Sequence, residues 1–104
     1  MIKTGQPFPA FELPDQNGKI VKLEELKGQW SVFYVYPKDD TPGCTIEGKQ
    51  FSASLKDFES LNTKVYGISA DGVESHKDFC NKYDFTVDLL ADTETKLLNA
   101  LGVE

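Results

Sequence analysis

The sequence predicts one α/β domain built on a parallel or largely parallel sheet. Short apolar, β-branched and aromatic runs recur at Trp30–Tyr36, Lys64–Ser69 and Val87–Leu90, and helical spacing follows each of them. The first run also lacks the strict alternation of a half-exposed strand. Such runs suit strands covered on both faces, and right-handed strand–helix–strand crossovers provide that cover. At 104 residues the chain holds one domain, residues 1–104, at the small end of the usual ~100–150. It is expected to be compact or incomplete.

Taken in order, "FELPDQNGKIVKL" sets a turn cluster, Pro14 to Gly18, between two short alternating segments, and Asn-Gly is a strong hairpin signal. Glu24 to Lys27 reads as a helical turn ended by Gly28. The buried strand Trp30–Tyr36 follows. From Cys44 to Leu61, the apolar positions Phe51, Leu55, Phe58 and Leu61 recur at three- and four-residue steps, which predicts one long helix with a single buried stripe. After the second strand, Asp71-Gly72 leads into a helix over Glu74–Tyr83 with Val73, Phe79 and Tyr83 inward and His76 on the solvated face. After the third strand, Asp92 or Thr93 is placed to cap a last helix, and Gly102 suits its C′ position.

Composition narrows the function classes. The net charge is −6, the pI is near 4.7 and all 11 basic residues are lysine. That balance speaks against nucleic acid or an anionic membrane as partner. No apolar run approaches the ~20 residues of a membrane span, and Met1 to Pro7 lacks the apolar stretch of a signal peptide. A protein of the cytoplasm, or of a soluble organelle lumen once a targeting segment is removed, is expected, without a cofactor or metal. Two cysteines, Cys44 and Cys80, are too few to staple a secreted scaffold and fit a reactive or redox role, although two inert buried thiols fit the count equally well.

Cys44 lies in the loop between the first core strand and its helix, beyond the carboxyl end of that strand, where open α/β sheets bind ligands. A thiol of ordinary pKa, about 8.5, is only a few per cent ionised at pH 7, and a helix N-terminus stabilises an anion by roughly 0.3–2 kcal/mol. Thr41 offers a hydroxyl to a thiolate or a substrate oxygen. Pro42 stiffens the turn, Gly43 lets a ligand approach the backbone, and Pro37 ends the strand. Glu47 reads as a first-turn carboxylate, and Tyr34, Tyr36 and Phe51 as core or pocket wall. A substrate with two linked oxygens held there, in line with the sulfur, describes peroxide reduction.

Pro37-x-x-x-Thr41-x-x-Cys44 resembles the active-site motif of peroxiredoxins. "YPKDDTPGCTIE" looks like their Q-type subfamily, the bacterioferritin comigratory proteins, with further likeness in "PFPAFELPDQNGKIVKL", "SADGVESHKDF" and "LLADTETKLLNALGV". The resemblance implies a thioredoxin-like fold and a thiol peroxidase acting on hydrogen peroxide and organic hydroperoxides. In it Cys44 is the peroxidatic cysteine, Thr41 and Pro37 shape the pocket, Pro42, Gly43 and Glu47 contact the substrate side, and Glu47 hydrogen-bonds an active-site arginine. It also implies a resolving thiol, which some members carry five residues after the first, here Lys49, and others on the next helix, where Cys80 lies. Cys80 is six residues past Glu74, about 9 Å at ~1.5 Å per residue, whereas a disulfide needs Cα atoms roughly 4.4–6.8 Å apart. Bridging therefore requires the first turns of both helices to unwind. Thioredoxin or a similar dithiol is the implied reductant, with a monomer or weak homodimer.

The chain departs from that pattern in having no arginine and in lacking the family's two final strands and C-terminal helix. It is therefore expected to be either a fragment of a longer protein or a divergent short form of the fold. The alternative from another class is a non-catalytic thioredoxin-like module that binds a partner, or a second copy of itself, through an exposed sheet edge.

Overall fold

The computed structural model describes residues 7–102. The hairpin forms first along the chain, with β1 (Glu12–Pro14) and β2 (Ile20–Lys22) paired antiparallel. Its turn is built by Asp15, whose carboxylate accepts the N–H groups of Asn17 (2.9 Å) and Lys19 (3.0 Å). Gly18 takes φ +80°, a conformation that a side chain would strain. Gln16 then ties the turn to the sheet, its Nε2 donating to Asp88 Oδ1 (2.9 Å) and its Oε1 accepting the Leu89 N–H (3.1 Å). A 3₁₀ turn, Leu23–Leu26, follows and ends before Gly28, which has φ +88°.

β3 (Trp30–Val35), β4 (Thr63–Ser69) and β5 (Asp88–Ala91) make a parallel sheet in the order β3-β4-β5. Alternation along these strands sorts their side chains into two cores. Phe33, Val35, Tyr66, Ile68 and Leu90 face one way and pack with the hairpin residues Phe11 and Val21 and with Leu97 and Leu98 of α4 (Lys96–Ala100). Val32, Tyr34, Tyr36, Val65 and Leu89 face the other way, toward α1 (Pro42–Ala53), α2 (Leu55–Ser60) and α3 (Val73–Tyr83). The expected covering of both sheet faces is present. Trp30 departs from it, at 78% exposed. It opens an edge strand, and its register partner Thr63 is itself only half-buried.

The single helix expected from Cys44 to Leu61 is two. It starts earlier, at Pro42, and breaks at Ser54, whose ψ is near 1°. The Ser54 carbonyl accepts the N–H groups of both Asp57 (3.0 Å) and Phe58 (3.2 Å), so the ladder restarts in α2. Phe51, Leu55 and Phe58 still pack on the second core, but Leu61 lies past the end of α2 and is 71% exposed. At the far end, Asp92 caps α4 by accepting the Leu98 N–H (2.7 Å), and Gly102 has φ +80° after its last turn. Among the described residues no helix is long and apolar enough to cross a membrane.

Gly67, in the middle strand, is where close packing leaves no room. A Cβ there would lie 2.7 Å from Tyr34 Cζ and 2.8 Å from Leu89 Cδ2, and the Tyr34 ring is itself stacked on Phe51 at 4.4 Å. Overpacking of this kind typically costs about 1–3 kcal/mol. Gly67→Ala is expected to lower the unfolding free energy by that amount, read as a lower urea midpoint at an unchanged m-value; an unchanged midpoint would mean that the ring and Leu89 yield freely.

Candidate active site

The proline after β3 ends pairing and lets the chain turn over the carboxyl ends of the strands. Pro37 is exposed there, beside an open cleft of about 430 Å³ also lined by Tyr36 and Leu98. Thr41 is the N-cap of α1, and Pro42 is its first helical residue, where a missing N–H costs nothing and φ is already set. Pro42 and Gly43 thus begin the helix, where a turn was expected. Cys44 is the third residue of the first turn. The earliest intrahelical bond runs from the Thr45 N–H to the Thr41 carbonyl (2.9 Å), so the N–H groups of Gly43 and Cys44 precede the ladder and concentrate positive potential beside the sulfur.

Cys44 is 6% exposed, packed in the second core with Tyr34, Tyr36 and Cys80. The helix-end dipole reaches it, and a small ligand can come close on the Gly43 side, where an added Cβ would meet nothing within 4 Å. The Thr41 hydroxyl donates to the Lys38 carbonyl (3.0 Å) and so braces the loop, where a bond to the thiolate or to a substrate oxygen was expected. Glu47, half-buried, sits in the second turn, because the helix begins two residues before Cys44. It is therefore too far along to be the expected first-turn carboxylate. Burial raises the Tyr34 phenol, helped by the nearby carboxylates of Glu47 and Asp39, and keeps it neutral as a wall of the site.

Cys80 lies three residues from the end of α3 and is 7% exposed. Both cysteines are free thiols. Cys80 lies beyond the first turn of α3, and its carbonyl accepts the Phe85 N–H (3.0 Å) at the C-terminal cap, so its release involves the later turns of the helix as well as the first. Burial, with the charges of Asp39, Asp88 and Asp15, pushes the Cys80 thiol up to about 12. A thiol raised in this way favours the folded state below its free value, about 8.5, and that contribution is lost as pH rises from there toward 12. Iodoacetamide at pH 8 should therefore modify Cys80 at least tenfold more slowly in the native reduced protein than in urea, as read by peptide mass. Equal rates would show that the thiol is already open.

One buried group bonded to the loop before Cys44 lies elsewhere than its sequence reading placed it. His76 is 0% exposed, not solvated. It falls between Val73 and Phe79 at three-residue steps, a spacing that already assigns it to the inward face. Its Nδ1 is 2.7 Å from Asp39 Oδ2 and its Nε2 is 3.1 Å from the Leu90 carbonyl. Asp39 also accepts from Tyr36 Oη (2.6 Å) and Ser75 Oγ (2.8 Å), while its own N–H donates to Asp71 Oδ2 (2.8 Å). Burial would raise the Asp39 carboxyl, but the bonds from His76, Tyr36 and Ser75 outweigh it and hold the group below the usual carboxylate range. Asp39, Asp71 and His76 also place three ligand-type atoms within 4.8 Å of one another, with their bonding capacity turned on one another and on neighbouring groups.

The comparisons with known proteins agree with this geometry. A model of the AhpC/TSA family matches residues 4–104. The chain is 42% identical over 102 residues to peroxiredoxin Bcp of Bacillus subtilis, covering 98% of this chain and 65% of that protein. It is 41% identical over 102 residues to the chloroplastic peroxiredoxin Q of Populus jackii, covering 98% of this chain and 48% of the relative. The solved structure of the peroxidoxin BcpB of Mycobacterium tuberculosis superposes with a TM-score of 0.92 at 34% identity, over 98% of this chain and 67% of that one. The chain thus spans between about half and two thirds of the length of these proteins. With the motif, the parallel sheet and the placement of Cys44 all of one kind, the chain belongs to the AhpC/TSA family, and its relatives are the Bcp and Q-type peroxiredoxins.

Proposed function

We propose that this chain carries the reacting half of a thiol peroxidase. The observation that carries the proposal is Cys44 in the first turn of α1, beside two N–H groups outside the helical ladder and open space at Gly43. The Cys44 thiolate attacks one peroxide oxygen and the O–O bond breaks. Sulfur is oxidised to sulfenic acid, and the leaving oxygen takes a proton to depart as water or, from an organic hydroperoxide, as an alcohol. Cys80, ionised once it leaves its buried setting, attacks the Cys44 sulfur. Hydroxide is expelled and protonated to water as the disulfide forms. Thioredoxin or a similar dithiol restores both thiols through a mixed disulfide. The setting proposed is the cytoplasm, as a monomer or weak homodimer. Mapping the oxidised protein without reductant should find a Cys44–Cys80 bridge that a dithiol reverses; a peroxide-treated chain with both thiols intact would reject the assignment.

A second reading has its own observation. β3 pairs on one side only, among the described residues, and Trp30 stands exposed at its start. A free strand edge is a pairing surface, so self-association that rises with concentration in sedimentation, with no peroxide consumed, would favour the binding module.

A further inference from the structure

The structure assigns Asp39 and His76 a joint role as positioning residues. Together they hold the Pro37–Cys44 loop against α3 in the peroxide-reactive arrangement, and their separation is the step that lets Cys44 meet Cys80. This inference rests on the proposal that those two thiols react.

Asp39 sits midway between Pro37 and Thr41, so whatever grips it grips the whole loop. Its buried carboxylate gathers bonds from Tyr36 at the end of β3 and from Ser75 and His76 on α3. Its backbone N–H goes to Asp71, which in turn accepts the Ser69 hydroxyl at 2.7 Å. The loop, the β4–α3 turn and the helix therefore meet at one residue. On His76, the Leu90 carbonyl can only accept, so Nε2 carries a proton, and Nδ1 shares a second proton with Asp39. His76 is thereby fixed at both ends, between β5 and the loop.

Location turns this network into a latch. His76 precedes Cys80 by four residues on the same buried face of α3, so the residue that grips the loop and the thiol that must leave share one helical segment. The arrangement that keeps Cys44 at the helix end also keeps Cys80 buried, with both thiols free. An outer pair, in which Asp40 accepts from Lys82 Nζ (2.7 Å) and Tyr83 Oη (2.6 Å), spans the same two elements. It is solvent-exposed and contributes little by comparison. A half-broken buried network is costly, which favours two discrete arrangements over a graded loosening.

The test uses the reduced 104-residue chain, hydrogen peroxide, and mass analysis of quenched samples for Cys44 sulfenic acid and for the bridge. The amide of His76→Gln reaches toward the Leu90 carbonyl and loses Asp39; that of His76→Asn reaches toward Asp39 and loses Leu90. Ser75→Ala removes one donor to Asp39 from an exposed position and leaves the fold intact. His76→Gln and Asp39→Asn are expected to slow Cys44 oxidation at least tenfold and to speed bridging from sulfenic acid at least threefold. Ser75→Ala should shift both rates the same way by less, and His76→Asn should stay nearer wild type in both. A merely structural His76 would make the Asn and Gln variants move the two rates alike, and that result overturns the proposal. If the wild type forms neither sulfenic acid nor bridge, the functional assignment fails separately, and hydrogen exchange still reads the latch. Faster exchange confined to residues 37–45 and 73–80 in Asp39→Asn and His76→Gln supports it, and unchanged exchange overturns it.

Discussion

Cys44→Ser is expected to reduce peroxide consumption to background, while Cys80→Ser should retain the first turnover and accumulate sulfenic acid at Cys44. The serine hydroxyl is not ionised at pH 7 and cannot replace a thiolate as nucleophile toward an O–O bond, so the loss is that of the whole chemical step. Cys80→Ser leaves attack intact and removes only the partner that closes the bridge. A sulfenic-acid trap followed by peptide mapping separates the two outcomes. Comparable consumption by both variants would remove Cys44 from its assigned role. Trapping on Cys80 would reverse the roles, against its burial and raised pKa.

Supplying an arginine-bearing segment after Glu104, fused or as a separate chain, is expected to raise the rate of Cys44 oxidation at least tenfold. The family resemblance places an arginine at this site, and this chain contains none. A charge-assisted hydrogen bond is typically worth about 1.5–3 kcal/mol, which corresponds to roughly ten- to a hundredfold in rate when it is made to the reacting centre. A lysine does not substitute well, because a guanidinium presents a planar fork to two oxygens at once and an ammonium does not. Among the described residues β3 pairs on one side only, so a segment that pairs with that edge should also raise the melting temperature. The check is the second-order rate with hydrogen peroxide, with and without the segment, alongside an otherwise identical segment with the arginine replaced by lysine. Fast turnover by the 104-residue chain alone would show that the helix end suffices.

Much of the fold was legible because its signals are local. Asn17-Gly18 specified the hairpin turn through backbone conformation, the apolar runs specified three strands, and Gly102 marked the end of the last helix. The reactive loop was legible for the same reason, since Pro37, Thr41, Pro42 and Gly43 act on their own stretch of backbone. The break at Ser54 was not, because the stripe of Phe51, Leu55 and Phe58 runs through it unchanged: the restarted ladder keeps those side chains on the same core.

What the sequence by itself determined about this protein is the class of its sheet, the cysteine that begins a helix, and the family to which both point. Only the tertiary structure decided what holds the loop that leads to that cysteine. His76 and Asp39 are 37 residues apart in the chain; spacing along α3 puts the histidine on the inward face, but nothing local names its partner, and the aspartate in isolation reads as solvated. Their meeting depends on the parallel crossover that lays α3 beside the loop after β3. Once water is excluded there, a carboxylate and an imidazole must satisfy each other, and that requirement makes two ordinary polar residues a fixed part of the site.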